Sequence, residues 1–149
     1  MLSKLLKTDS SNITLTIVRL VLGVIFFAHG AQKLFGWFGG HGFSATMAGF
    51  EHGGIPAPLA FLAIMAEFAG GLGLIVGLLS RIAAFGITCN MLVAIFLVHG
   101  RYGLFMNWGG NQKGEGIEYH LLVLAITLAV MIAGAGAYSI DAALAGERE

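Results

Sequence analysis

The chain has 149 residues, 57% of them hydrophobic and 11% charged, with a mean hydropathy of +0.85 and a formal net charge of zero. A soluble domain carries roughly 45–50% apolar and about 25% charged residues, so this composition points to a membrane protein. Zero net charge gives no ground for nucleic-acid binding or a polybasic membrane-surface role. The single cysteine, Cys89, excludes an internal disulfide and any dithiol relay within one chain, so redox chemistry here requires a bound cofactor.

Residues 1–11 are polar and carry Lys4 and Lys7, followed by an apolar run from about Ile13 to Phe35 broken by Arg19, His29 and Lys33. Two lysines before an apolar core also begin a secretory signal, but this run is longer than a signal core and reads as a span. It ends in His29-Gly30-Ala31-Gln32-Lys33-Leu34-Phe35-Gly36-Trp37-Phe38-Gly39-Gly40, which the chain nearly repeats as His99-Gly100-Arg101-Tyr102-Gly103-Leu104-Phe105-Met106-Asn107-Trp108-Gly109-Gly110. Such self-similarity marks an internal repeat, here helix, aromatic-glycine loop, helix, used twice.

The first loop is expected over about Gly36 to Ile55, with His41 and His52 as loop residues. Pro56 and Pro58 then open a second helix reaching about Leu79, since proline in a first turn costs little. This helix holds one charge, Glu67, and a face of small residues (Ala60, Ala63, Gly70, Gly71) that lets helix backbones approach closely in lipid. A short turn at Ser80-Arg81 leads to a third helix, about Ile82 to Gly100. The second aromatic-glycine loop runs to about Gly116, and a fourth helix follows from about Ile117 to Ala137. Gly136-Ala137-Tyr138-Ser139 echoes Gly77-Leu78-Leu79-Ser80. The expected fold is all-α, a single membrane domain over 1–149 formed by a four-transmembrane-helix bundle of two helix-loop-helix repeats.

Lysines and arginines set orientation. Lys4, Lys7, Arg81 and Arg148 gather on one side and Lys33, Arg101 and Lys113 on the other, which favours cytoplasmic termini in a multi-pass protein. Both aromatic-glycine loops then lie outside, with Trp37, Phe38, Tyr102, Phe105, Trp108 and Tyr119 as an interfacial belt.

Arg19 and Glu67 are the costly residues, because a charge inside a span faces the bundle interior or water and usually has a partner. At about 1.5 Å per residue, Glu67 lies roughly 16 Å below the start of helix two and Arg19 roughly 22 Å below the end of helix one, within reach of a buried ion pair. His29, His99 and His120 fall on three helices near one outer level. Histidines so placed suit a quinone head group, a haem or a metal, although their spacing matches no metal motif. Lys33, Lys113, Glu115 and Glu118 lie at the same interface, where they form either a polar shell or snorkelling and helix-capping residues. Cys89 reads as an inert packing residue.

Arg19 with Gly23, His29-Gly30 with Lys33-Leu34, Gly54-Ile55-Pro56, Glu67 with Gly70-Gly71, Gly77-Leu78 before Arg81, His99, Lys113-Gly114 with Glu118, Gly134-Ala135-Gly136 and Ser139-Ile140-Asp141 together resemble the DoxX family of small bacterial membrane proteins across nearly the whole chain. The resemblance implies a four-helix bundle in the bacterial cytoplasmic membrane. It also implies association with quinone-linked respiratory or oxidative-stress systems, without supplying an agreed catalytic set. The leading expectation is therefore a redox-associated membrane subunit holding a quinone, or else a haem, among His29, Lys33, His99, Glu118 and His120. Its partners would be lipid and either other respiratory-chain subunits or copies of itself. The alternatives are a membrane scaffold, built on the small-residue faces, and a small transporter or proton path along Arg19 and Glu67.

Overall fold

The structure, a computed structural model, describes residues 5–146, and among these the regular elements are all helical. Helix α1 spans Ile13–Phe35, α2 Gly42–His52, α3 Ala57–Val76, α4 Ser80–Ala94, α5 Glu118–Ala133 and α6 Ile140–Gly146. Helix α4 runs on through a π turn, Ile95–His99, and a 3-10 turn, Gly100–Tyr102. Three apolar stretches are long enough to cross a membrane: Ile13–Phe35, Ala57–Val76 and Ser80–Tyr102. Helix α5 is apolar but has 16 residues, about 24 Å against a hydrocarbon core of about 30 Å.

The sequence places the helix ends by ordinary capping chemistry. Asn12 accepts a hydrogen bond from the Leu15 amide at 3.1 Å to open α1, and Gly36 closes it in the left-handed conformation, its amide on Gln32 O. Pro58 stands in the first turn of α3, where a missing N–H costs nothing. Two expectations change here. The glycine-rich stretch expected as loop contains α2, because its glycines sit mainly at the ends and leave Phe43 to Ala48 free to coil. The fourth helix stops at Ala133, four residues short of the expected end, because Gly134 takes a φ of 91° that no helix continues through.

Helices α1 and α3 pack backbone to backbone. A Cβ on Gly30 would lie 2.3 Å from the Phe68 amide nitrogen, and one on Gly71 would lie 2.3 Å from that of Phe27. The two glycines thus permit the close approach that replaces hydrophobic drive inside lipid. Beside this contact a core of Leu22, Phe26, Leu74, Ala84, Ile87, Met91, Val123 and Val130 joins α1, α3, α4 and α5. The Thr88 and Thr127 hydroxyls bond across α4 and α5 at 2.8 Å, and Asn90 donates to Ala63 O on α3 at 2.8 Å.

The end of the bundle where α1 begins and α6 lies is tied by charged side chains on helix ends. Arg19, fully buried, donates from Nε to Ala135 O at 2.8 Å, from Nη1 to Leu74 O and to Ile75 O at 2.8 Å, and from Nη2 to Tyr138 O at 3.2 Å. It thereby caps the last turn of α3 and fastens the chain after α5 to it. Arg81 does the same for α5, donating to Met131 O, to Ile132 O at 2.9 Å and to Lys7 O at 2.9 Å. The Asp141 carboxylate accepts from the Leu79 and Ser80 amides at 2.7 and 2.9 Å, at the start of α4, where a helix N-terminus favours negative charge. The echo between the two short turns extends to backbone shape: φ is 71° at Gly77 and 50° at Leu79, and 77° at Gly136 and 49° at Tyr138.

The expected Arg19–Glu67 ion pair does not form. Arg19 is consumed by four carbonyls at the terminal end of the bundle, and Glu67 binds Lys33 instead, with Nζ to Oε2 at 2.5 Å. One carbonyl attracts a guanidinium less than a carboxylate does, but here four carbonyls at helix ends converge on the fork and satisfy its three nitrogens.

Candidate functional site

A groove of about 1680 Å³ opens between α3 and α4 and is backed by α1 and the start of α5. Its lining is mostly apolar, but polar side chains converge in it: His29 and Lys33 from α1, Glu67 from α3, His99 after α4, and Tyr119 and His120 from the first turn of α5. Phe26, His29 and Lys33 recur at three- and four-residue intervals, which puts them on one stripe of α1. The π turn at Ile95–His99 adds a residue to the last turn of α4 and so re-aims His99.

His99 and His120 stack, with ring centroids 4.3 Å apart and planes inclined by 42°. His99 Nδ1 lies 2.8 Å from Glu115 O. A carbonyl only accepts, so Nδ1 carries the proton and Nε2 of the neutral ring is an acceptor. His120 is buried, and its Nδ1 has no partner. The Tyr119 hydroxyl is likewise buried without a partner. Lys33 and Glu67 complete this wall as an ion pair whose side chains are largely shielded from solvent.

The candidate residues thus divide. His99 and His120 are brought together; His29 and Lys33 line the same groove from α1, His29 with its ring 6.5 Å from that of Phe26. Glu118 does not line the groove: Oε1 accepts from the Met106 amide at 2.9 Å and from Trp108 Nε1 at 3.2 Å, so its carboxylate pins the second aromatic-glycine loop. Glu115 pins the same loop through Asn107 N at 2.5 Å. Tyr119, expected in the interfacial belt, lines the groove with its hydroxyl buried, while Trp37, Phe38, Phe105 and Trp108 are exposed. What could have revealed Tyr119 is its place next to His120 in the first turn of an apolar helix.

Haem ligation by His99 and His120 does not fit this geometry, because axial ligands approach iron from opposite faces of a macrocycle and these rings are in mutual contact. Among the described residues no group of three or more His, Cys, Asp or Glu side chains is placed to hold a metal ion.

A small apolar chain with three helical stretches long enough to cross a membrane, a buried arginine clamp and a groove between helices is a helical membrane protein. The DoxX family model matches residues 14–100, and the chain belongs to that family. It is 32% identical over 125 residues to a protein of Escherichia coli named inner membrane protein YqjF, covering 84% of this chain and 87% of that one. It is 29% identical over 114 residues to a Bacillus subtilis protein named "Putative oxidoreductase CatD", covering 76% and 75%. No solved structure gives a significant match.

Proposed function

We propose that the chain is a redox-associated subunit of the bacterial cytoplasmic membrane whose groove receives the head of a quinone or quinol. The carrying observation is that two groove-lining residues beside Lys33 and Glu67, Tyr119 and His120, each hold a buried polar atom, Oη and Nδ1, without a partner; the other such atoms among the described residues, Ser80 Oγ and Arg81 Nε, lie outside the groove lining at the start of α4. Leaving a buried donor unmade costs about 1–3 kcal/mol, so two side by side are best explained by a ligand that satisfies both. A membrane ligand with two oxygens on an otherwise apolar ring meets that need, and cofactor pockets combine apolar walls with a few convergent polar groups in this way. Membership of the DoxX family and the oxidoreductase name of one relative agree with the reading.

A bound quinone would supply two-electron, two-proton acceptor chemistry. The Tyr119 hydroxyl, and His120 Nδ1 in its protonated tautomer, would donate to its oxygens, His99 Nε2 would hold a proton, and the Lys33–Glu67 pair would exchange one at the groove wall. With the termini in the cytoplasm, on the side of Lys4, Lys7 and Arg81, the site lies toward the outer leaflet. A proton path along Arg19 and Glu67 has no support, because Arg19 is held by carbonyls at the opposite end of α3.

The test is purification in mild detergent followed by solvent extraction, mass spectrometry and a visible spectrum. The expected result is co-purified quinone, lost in His120→Leu and reduced less in His29→Leu, with both variants still monodisperse. Absence of extractable quinone, together with no saturable binding of added decylubiquinone, would overturn the reading and leave the scaffold role ahead.

A further inference from the structure

The groove is too large for a quinone ring alone. Ligand pockets for compact molecules run to roughly 300–1,000 Å³, and this one measures about 1680 Å³. It follows α3 from Leu59 to Val76 and α4 from Ile82 to Val98, a trough about 25 Å long at 1.5 Å per residue. Its floor is made of small residues where the two helices meet: a Cβ on Gly86 would lie 3.2 Å from that of Ala66, and one on Gly70 3.8 Å from that of Ala83. Ala69 and Cys89 are exposed along it. The polar groups gather at one part of this trough, and the stretch toward Gly73, Ala83 and Ile82 has none. Polar at one end and apolar for the rest, open to lipid along its side, the trough has the outline of a head with a tail.

Resting on the quinone reading above, we propose that the site takes a quinone bearing a long apolar tail, which enters sideways from the bilayer. Its ring lies against Tyr119 and His120, and its tail lies in the α3–α4 trough toward Ile82. Charge selects this occupant over a phospholipid. Lys33 and Glu67 cancel each other, so the head end suits an uncharged ring, and the cation at the rim, Arg101, already lies 4.9 Å over the Tyr102 ring. Because lipid tails are as apolar as the trough, the tail gains little transfer free energy there. Its placement, not its affinity, is therefore the quantity to measure.

The experiment uses the full chain in vesicles of phosphatidylcholine and phosphatidylglycerol, with two photoreactive decyl quinones, one carrying an azide on the ring and the other a diazirine at the tail end. The ring probe is expected to cross-link the segment holding Tyr119 and His120 or that holding His99. The tail probe is expected to cross-link between Ala69 and Cys89, and excess decylubiquinone should abolish both labels. Cys89→Trp, which fills the trough from its exposed side, should cut the competable tail label severalfold, whereas Cys89→Ser keeps it. Tail label scattered over the lipid faces of α1 and α5, with ring label still competed, overturns the trough and leaves the quinone site standing. Tail label removed by added phosphatidylglycerol but not by decylubiquinone gives the trough to a lipid and also overturns the proposal. A ring probe that decylubiquinone does not displace removes the quinone site itself, and the trough proposal with it.

Discussion

Two buried polar regions of this molecule are built oppositely. Around Arg19 every hydrogen-bonding nitrogen of the guanidinium meets a backbone carbonyl, and Asp141 nearby spends both carboxylate oxygens on backbone amides. Around Tyr119 and His120, two residues that line the groove, the reverse holds: a hydroxyl and a ring nitrogen are buried with no partner in the protein. Both regions hold costly groups in an apolar bundle; in the first the Arg19 guanidinium and the Asp141 carboxylate are satisfied from within, although Ser80 Oγ and Arg81 Nε at the same end are also buried without a partner. A polar group satisfied by the chain is architecture, because it joins the ends of α3, α4 and α5. One left unsatisfied on a residue that lines a groove leaves room for a ligand to meet it.

The largest effect is expected where the satisfied region is broken. Arg19→Leu removes the donors of four carbonyls at once, and at about 1–3 kcal/mol for a stranded buried group, partly relieved by relaxation, the loss should be ~3–5 kcal/mol. Arg19→Lys should recover little, since an ammonium cannot span carbonyls that a planar fork reaches together. Combining Arg19→Leu with Glu67→Gln should give losses that add to within about 0.5 kcal/mol, because the two share no partner. Unfolding by denaturing detergent in mixed micelles reads all three. A coupling above 1 kcal/mol would mean that Arg19 and Glu67 meet after all, and the contrast between the regions would fail.

An intermediate effect is expected at the Lys33–Glu67 pair, which belongs to the groove but is internally paired. Lys33→Met leaves a carboxylate at the wall without its cation, and Glu67→Gln leaves the reverse. Each should destabilise by ~1–3 kcal/mol, and the double variant should lose measurably less than their sum, as contacting charges do. If the double variant is as stable as the parent yet no longer binds decylubiquinone, the pair serves the ligand and not the bundle.

How far the sequence announced these regions depends on what each signal measures. The three long spans, the small-residue face of α3 and a tight connection from α3 to α4 follow from hydropathy, glycine placement and proline, which act locally and survive folding; the turn itself lies at Gly77 to Leu79, and Ser80-Arg81, expected to form it, open α4. The presence of Arg19 and Glu67 inside spans was equally plain, but their pairing was not. Charge complementarity names oppositely charged residues as partners and overlooks helix-end carbonyls, which carry no mark in sequence. Asp141 stood in a recognisable C-terminal motif, yet its role at the start of α4 depends on a turn that brings residues 62 apart in sequence into contact. His99 and His120 were legible as a level and not as a stacked pair, since the π turn that re-aims His99 breaks the helical count. Tyr119 reads from sequence as a membrane-surface residue because aromatic residues at helix ends usually lie there, and only the packing of α5 against α4 and α1 shows that its hydroxyl is buried.

The smallest effect on stability should come from Tyr119→Phe, and it tests the contrast most directly. The variant deletes one oxygen that has no partner in the protein and leaves the ring in place against His120, whose centroid lies 5.5 Å away. Removing a satisfied buried hydroxyl costs about 1 kcal/mol, whereas removing an unsatisfied one is neutral or stabilising. Stability in detergent without ligand should therefore change by less than about 0.5 kcal/mol or rise slightly. With decylubiquinone present, the parent should gain thermal stability and Tyr119→Phe should gain less, since anything that binds only the folded state stabilises it according to its affinity. A marked loss of stability without ligand would show that the hydroxyl already has a partner, such as ordered water, and that the groove wall is structural. Equal stabilisation of parent and variant by the quinone would leave the hydroxyl vacant in the complex as well, and would move the head group's contacts to His120 and the Lys33–Glu67 pair.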